Sequence, residues 1–205
     1  MLPSRLPLCL AVAFSPSLAF AQNAPTDSIP FHRRQWAAQF AGGTSFASLG
    51  VLRFTAPTRA WLLDFRFTGG HSHDRMYAND TLAFEGATSN ANVDVRVGRR
   101  FYQGHGKSVV SFQSVGVLAG FDHACQKATQ PSGSLGSCAN GWTAGAFGDL
   151  GGAYLITPRF SIGGAATVAF SYHRSTAKLS GGVVDKRWAY SGSIQGLTFA
   201  ATVYF

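Results

Sequence analysis

The residues best suited to covalent chemistry lie close together near position 175. His173, Ser175 and Asp185 could act as general base, nucleophile and orienting acid, the three roles that activate a serine hydroxyl for acyl transfer. A spacing of two residues places His173 and Ser175 on the same face of a β-strand, where the imidazole could approach the hydroxyl. These three residues are the candidate catalytic set of the chain.

A second group could offer metal ligands. His71, His73 and Asp74 lie within four residues of one another, and both imidazole and carboxylate groups bind zinc. No further ligand can be assigned from the sequence, and the neighbouring glycine and serine residues are typical of a solvated loop. We therefore expect neither a metal ion nor another cofactor.

Two cysteines, Cys125 and Cys138, lie outside the first 21 residues. They flank residues 126–137, and compartments outside the cytoplasm permit disulfides. A bridge between them would close a loop of about a dozen residues and stabilise it by roughly 3 kcal/mol. We predict this disulfide, and two free thiols are the alternative.

The first 21 residues have the organisation of a targeting segment. Arg5 precedes an apolar run, and a small-x-small sequence ends at Ala21, which together predict a secretory signal peptide cleaved after that residue. A membrane-anchoring helix needs about 20 apolar residues, and Pro16 interrupts this run. The expected organisation is a signal peptide (1–21), a short unstructured periplasmic lead-in (22–34) and a single domain (35–205).

The composition excludes several classes of protein. Only 13% of the 205 residues are charged, compared with about 25% in a typical globular chain. Low charge combined with 17 phenylalanines excludes intrinsic disorder, and the 24 glycines show no three-residue repeat of the collagen type. The net charge of +8 does not indicate nucleic-acid binding, because no nucleic-acid-binding motif accompanies it.

The elements that must position these side chains are β-strands. Trp61, Leu63, Phe65 and Phe67 alternate with more polar residues, and such alternation indicates strands with one apolar and one polar face. The fifth strand has two possible orientations, because the apolar pair at 110 and 112 competes with the pair at 115 and 117. We predict strands near 35–42, 46–55, 59–68, 92–102, 108–121, 142–155, 160–172 and 191–205.

The connections between these strands alternate in length. Short turns at 56–58, 103–107 and 156–159 contain Pro or Gly, whereas the segments 69–91, 122–141 and 173–190 are long. This pattern predicts an all-β fold, an eight-stranded antiparallel transmembrane β-barrel with short periplasmic turns and longer extracellular loops. A soluble barrel or sandwich is the alternative. Aromatic residues near the predicted strand ends favour a lipid-facing wall: Trp36, Trp61, Phe101, Trp142, Tyr154, Phe160, Phe199 and Phe205.

The last strand resembles a known assembly signal. It ends in Thr-Val-Tyr-Phe, with Tyr204 and a terminal Phe205, and looks like the β-signal of Gram-negative outer-membrane barrels. With eight strands, the chain resembles the small OmpA/OmpX-like outer-membrane β-barrel family, which has a porin-like fold. The resemblance implies cleavage of the signal peptide, insertion by the barrel assembly machinery, and residence in the bacterial outer membrane among its lipids and lipopolysaccharide.

The polar faces of the strands predict a charged lumen. Eight strands enclose an interior that side chains can just fill, and the inward charges should form ion pairs with one another. If Thr68 faces Asn92, opposite charges meet twice across the third and fourth strands. We predict a plugged polar lumen; a narrow conduit for small solutes is the alternative. The expected network comprises Asp64, Arg66, Asp94, Arg96, Arg100 and Asp149, with Arg53 also facing inward.

These observations favour a structural or surface-interaction role over an enzyme. The loops could bind an extracellular ligand, and their basic residues could contact lipopolysaccharide phosphates. A lipid A-modifying hydrolase is a further alternative, because His173 and Ser175 resemble the His-x-Ser pair of eight-stranded lipid A deacylases. The match is incomplete: Asn-Ala does not follow Ser175, Asp185 replaces the expected Glu, and both residues of the pair should face the lumen instead of the membrane.

Overall fold

The computed structural model describes residues 29–78, 81–105, 108–130, 133–179 and 183–205. The predicted signal peptide and residues 22–28 lie outside this part of the chain. The strands of the described residues are β1 (Trp36–Gly42), β2 (Ala47–Ala56), β3 (Arg59–Ala78), β4 (Thr81–Gly104), β5 (Val109–Gln130), β6 (Gly133–Thr157), β7 (Phe160–Leu179) and β8 (Val184–Tyr204). Within the described ranges, no helix is long and apolar enough to cross a membrane.

The strands form one closed barrel in sequence order, which confirms the predicted fold. Each strand pairs antiparallel with the next, and β1 pairs with β8. The pairing of β1 with β8 closes the seam, and at its end two backbone hydrogen bonds join Trp36 and Phe205, with N···O distances of 3.0 and 2.9 Å. All eight predicted strands are present, because strict alternation of side chains is a local property that does not depend on the rest of the fold.

The outer ends of the strands differ from the prediction. The segments 69–91, 122–141 and 173–190, which we expected to be loops, are mostly strand, because β3 to β8 continue as paired hairpins. Their sequences lack alternation, since a ribbon with polar surroundings on both faces does not need an apolar side. Among the four hairpins at this end of the barrel, only the one between β1 and β2 is short, so the wall of the barrel is low at β1 and β2.

In the half of the barrel nearest the short turns, the side chains face outward or into the lumen as predicted. Trp61 and Phe67 face outward and are 46% and 49% exposed, whereas Asp64 and Arg66 are buried in the lumen. In β5, Val110 and Phe112 face the lumen and the pair at 115 and 117 faces outward, which settles the orientation that the sequence left open. The apolar surface of the chain therefore surrounds a filled interior.

The lead-in is not unstructured over residues 29–34. Arg34 adopts a φ of 71°, in the left-handed region, and its backbone N–H donates to the Phe54 carbonyl over 2.8 Å. This turn directs the preceding residues into the end of the barrel that carries the short turns, where Ile29 and Phe31 are buried. The sequence carries no sign of this, because a single inserted side chain has no periodicity.

Candidate functional site

The half of the lumen nearest the short turns is filled by aromatic rings. Phe31 is 1% exposed, and its ring centroid lies 4.7 Å from that of Phe54 and 4.9 Å from those of Tyr102 and Tyr204. The Tyr204 hydroxyl forms a 2.9 Å hydrogen bond with Ser161 Oγ, so the polar end of this ring is satisfied. This half of the lumen is therefore apolar, in contrast to the polar filling that we expected throughout.

The next level of the lumen contains the inward charges. Arg96 Nη2 lies 2.7 Å from Asp149 Oδ1, and Arg96 Nη1 lies 3.5 Å from Asp64 Oδ2. Arg66 Nε donates to the same Asp64 oxygen over 3.3 Å, and Thr167 Oγ1 donates to Asp149 over 2.8 Å. Buried charges cost free energy unless they are paired and hydrogen-bonded, and this arrangement supplies partners from β3, β4, β6 and β7.

Phe147 supports the guanidinium at the centre of this network. Arg96 lies over the Phe147 ring at 3.7 Å, a distance at which the positive charge is attracted to the ring face. The ring itself packs against Gly98 and Gly116, and a Cβ atom at either position would lie 3.1 or 2.8 Å from it. The two glycines face each other across β4 and β5 and leave the space that the ring occupies.

Arg100 joins the charged level to the aromatic one. Its Nε donates to Ser114 Oγ over 2.9 Å, and its Nη1 donates to Gln39 Oε1 over 2.7 Å. The guanidinium also lies 4.2 Å from the centroid of the Phe112 ring. These contacts link β1, β4 and β5 across the interior.

The register between β3 and β4 is the expected one, with Arg66 opposite Asp94 and Asp64 opposite Arg96. The sequence analysis included Asp149 of β6 in the network but did not predict its contact with Arg96, because no local pattern shows which side chains meet across the lumen. The expectation for Arg53 is wrong, because this side chain faces outward and lies 5.3 Å from the centroid of the Trp36 ring. Both residues lie at the end of the wall that carries the short turns.

The interior leaves little free volume. One cavity, beside Arg100 and Tyr102, measures about 10 Å³, and a second, beside Arg96, measures about 20 Å³. A water molecule needs at least about 10–15 Å³ on this scale, so each cavity has room for one or two waters. A larger cavity of about 340 Å³ lies at the mouth of the barrel beside the short β1–β2 hairpin, lined in part by Phe46 and Asp94.

The structure does not assemble the candidate catalytic set. His173 faces inward, and its Nε2 donates to Asp122 Oδ1 over 2.9 Å. Asp185 pairs instead with Arg187 at 2.6 Å and lies opposite Ala177, four residues or roughly 13 Å beyond His173 along the strand. Ser175 shares the inward face of His173, as expected, but the acid that contacts the imidazole is Asp122.

Gly141 makes the contact between β5 and β7 possible. This glycine belongs to β6, the strand between them, and a Cβ atom there would lie 2.6 Å from His173 Nε2 and 2.5 Å from Asp122 Oδ2. The absence of a side chain therefore lets the two residues meet over the intervening strand. The sequence analysis did not identify Asp122, because a contact between side chains two strands apart in the sheet produces no pattern in the spacing of residues along the chain.

The residues considered as metal ligands are divided between two faces of β3. Alternation along the strand places His71 and His73 on the outward face and Asp74 on the inward one. His73 Nε2 contacts Glu85 Oε1 at 2.8 Å, and Arg75 Nε donates to the same oxygen over 3.2 Å. The hydrogen bonds from Arg75 and then from His73 hold the pKa of Glu85 below its ordinary value.

Cys125 and Cys138 form the predicted disulfide. They lie directly opposite each other in the β5–β6 pairing, with their Cα atoms 4.1 Å apart. His123 Nε2 lies 3.3 Å from Cys125 Sγ, and His123 Nδ1 lies 2.6 Å from Asn140 Oδ1. Thiolates bind metals, but sulfurs bonded to each other do not offer that charge, so this cluster is a covalent staple in the upper part of the hairpin.

No family model and no curated protein sequence matches the chain. Among solved structures, a major outer membrane protein from Thermus thermophilus shares 15% identity, with 83% of this chain and 99% of that one covered and a TM-score of 0.51. Acinetobacter baumannii CarO2 shares 9% identity over 83% and 98% of the two chains (TM-score 0.44), and Ail, the attachment invasion locus protein of Yersinia pestis, 14% over 83% and 94% (TM-score 0.34). The chain has the fold of small outer-membrane β-barrels.

Proposed function

We propose that the chain is an integral protein of the bacterial outer membrane, closed to solutes, whose role is structural or is carried out by the surface of its extracellular hairpins. The observation that carries this proposal is a lumen filled at two successive levels inside a wall whose outward side chains are apolar. In this proposal, the short turns face the periplasm and the paired strand extensions rise from the cell surface.

The outward face supports a membrane location. Its apolar side chains run from Trp61 to Phe67 on β3 and from Trp142 to Tyr154 on β6, and they are exposed in the isolated chain. A tilted strand needs about 9–11 residues to cross the hydrocarbon layer, and these spans of seven and 13 residues lie on either side of that length. At the periplasmic end, Arg99 lies over the Trp61 ring at 4.5 Å, a pairing suited to a boundary between lipid and water.

The filled lumen supports a closed barrel over a narrow channel. A solute entering from the mouth would first meet Arg66 and Asp64, then Arg96 with its two carboxylate partners, and finally the rings around Phe31. The cavities between these levels, about 20 and 10 Å³, do not form a continuous aqueous path. Conduction would require both levels to separate, at the cost of breaking buried ion pairs and aromatic contacts.

Two measurements on the mature chain test this proposal. A folded outer-membrane barrel resists SDS until it is boiled, so we expect a shift in gel mobility on heating. In liposome-swelling assays and planar bilayers, we expect no uptake of small sugars and no stable openings, with a 16-stranded porin as the positive control. Large, stable openings would contradict the closed lumen, and failure to insert into vesicles would contradict the membrane location.

The strand extensions are the surface that the proposed role uses. The β5–β6 hairpin carries the disulfide, and the β3–β4 hairpin carries the outward cluster of His73, Arg75 and Glu85. We expect an extracellular ligand to engage these hairpins, because the rest of the barrel faces lipid or is enclosed. Shaving the hairpins with protease on intact cells should abolish ligand binding while the heat-dependent mobility of the residual barrel persists.

A further inference from the structure

Four aromatic rings form a continuous band across β6, β7 and β8 on the outward face. The ring centroids of Trp142 and Tyr172 are 5.4 Å apart, those of Tyr172 and Tyr190 are 5.2 Å apart, and those of Tyr190 and Trp188 are 6.1 Å apart. Trp142, Trp188 and Tyr190 are 45–69% exposed, so the band is open to its surroundings. It lies at the extracellular end of the apolar wall.

Three cations follow directly beyond this band. Arg174 is paired in register with Trp142 on one side and with Trp188 on the other. Lys186 lies opposite Thr176, and Lys178 lies opposite Cys138, so both cations share the outward face with Arg174. All three cations are exposed, and over roughly 13 Å of β7 they form a basic patch: Arg174, Lys178 and Lys186.

No acidic side chain neutralises this basic patch within the described residues. The outward positions around it on β6 and β8 include Asn140 and Val184, and the nearby Asp185 lies on the other face, where it pairs with Arg187. On the opposite side of the barrel, the arrangement differs, because Arg75 is paired with Glu85. The β6–β8 face is therefore a cationic surface with an aromatic lower edge.

We infer that this face binds the phosphorylated headgroup of an outer-leaflet glycolipid. The inference rests on the proposed function, because the membrane orientation places the aromatic band at the outer boundary of the hydrocarbon. Below the band, the outward side chains of Val168, Phe170 and Ile194 continue the apolar wall, which suits acyl chains. Above it, the basic patch offers charge-assisted hydrogen bonds to phosphate oxygens. Rings at the interface between these two regions suit the sugar-bearing boundary.

The order of these regions favours a lipid over a soluble anion or an acidic protein. Along β6, β7 and β8, the apolar wall is followed by the aromatic band and then by the basic patch. A ligand that is apolar at one end and doubly anionic at the other matches this order. A free phosphate would use only the cations. An acidic polypeptide would leave the rings against lipid instead of covering them.

The test is a binding titration of the full mature chain, folded in neutral detergent micelles. The probes are purified lipopolysaccharide and the same preparation after removal of its lipid A phosphates, and the readout is intrinsic tryptophan fluorescence. The test variant is Arg174→Gln with Lys178→Gln and Lys186→Gln, and the matched control is Arg53→Gln, an outward arginine at the opposite end of the barrel, beside Trp36. We expect about tenfold weaker binding for the triple variant and less than a twofold change for the control.

Each outcome decides the inference. Equal affinity of the folded wild-type chain for the phosphorylated and dephosphorylated probes would overturn it, and this comparison stands even if the triple variant fails to fold. Equal binding by the triple variant would also overturn it, as would full competition by inorganic phosphate or poly-glutamate. If the chain shows heat-dependent gel mobility but does not bind lipopolysaccharide, only this inference is overturned. If the chain never inserts into vesicles, the proposed function is overturned.

Discussion

Arg96 is held in the lumen by contacts of two kinds, and its partners come from two other strands. Asp149 on β6 and Asp64 on β3 neutralise its charge, while the ring of Phe147 supports its planar face. Removing this guanidinium would leave two buried carboxylates without their shared cation. The loss of one partner from a buried ion pair typically costs more than the whole pair contributes.

We expect Arg96→Gln to lower the free energy of unfolding by about 3 kcal/mol or more. The change keeps a polar side chain but removes the charge between the two carboxylates. The measurement is a denaturant titration of the refolded barrel in micelles, and Arg99→Gln is the control, because that arginine faces outward over Trp61. We expect the control to cost about 1 kcal/mol or less. Similar losses for both variants would contradict a role for the buried network.

The hairpins depend on two different devices at their upper parts. The β5–β6 hairpin is held by the disulfide between directly opposite residues, whereas the β3–β4 hairpin is held by the contacts of Arg75 and His73 with Glu85. A covalent bond does not respond to pH, and an exposed carboxylate contact does not respond to reductant. The two hairpins should therefore respond to different treatments.

For the β5–β6 hairpin, we expect Cys125→Ser with Cys138→Ser to lower its local stability by roughly 3 kcal/mol, as expected for opening a covalent loop of this size. Amide hydrogen exchange should accelerate in the upper part of β5 and β6 and stay unchanged in the membrane-facing part. Reducing the wild-type chain should reproduce this pattern. Uniform acceleration over the whole barrel would show that the disulfide supports more than its hairpin.

For the β3–β4 hairpin, we expect a loss of order at acid pH. Hydrogen bonds from Arg75 and His73 lower the pKa of Glu85, so their stabilising effect is complete above the ordinary carboxyl value and is lost as the pH falls through the lowered one. Hydrogen exchange of β3 and β4 between pH 6 and about pH 3 should report this change after correction for intrinsic rates. Glu85→Gln should remove the pH dependence, and a variant that keeps it would contradict the assignment.

In the proposed closed barrel, two levels of different chemistry fill the lumen. Aromatic rings around Phe31 fill the half nearest the short turns, and ion pairs around Arg96 occupy the level above. The first level depends on apolar burial and the second on charge pairing, so one substitution does not remove both. The N-terminal segment takes part in the seal because the turn at Arg34 directs it into the lumen.

We expect Phe31→Ala to lower the free energy of unfolding of the barrel by about 3–5 kcal/mol without opening the lumen to solutes. The lost ring leaves a cavity among Phe54, Tyr102 and Tyr204, but the charged level above still blocks passage. Denaturant titration measures the first effect and liposome swelling the second. Leu63→Ala is the control, because that side chain lies on the outward face and takes no part in the lumen. Rapid sugar uptake by the Phe31 variant would show that the rings alone close the lumen.

Alternation in the sequence predicted the eight strands without their outer extensions and the outward face from Trp61 to Phe67, and one possible register of β3 and β4 placed Asp64 opposite Arg96, as observed. Alternation and the pairing of neighbouring strands are local, so they can be seen in a single chain. The cysteine pair could be predicted on a different ground, because these are the two cysteines outside the predicted signal peptide.

The contacts between side chains across the lumen follow from the closed sheet and not from any pattern in the sequence. The contacts of Arg96 with Asp149, of His173 with Asp122 and of Phe31 with Tyr204 all skip at least one strand or enter from outside the sheet. They depend on the curvature and stagger with which the sheet closes, and these are properties of all eight strands together. The outer hairpins were missed for a related reason: with polar surroundings on both faces, their backbone hydrogen bonds form without any pattern in the side chains.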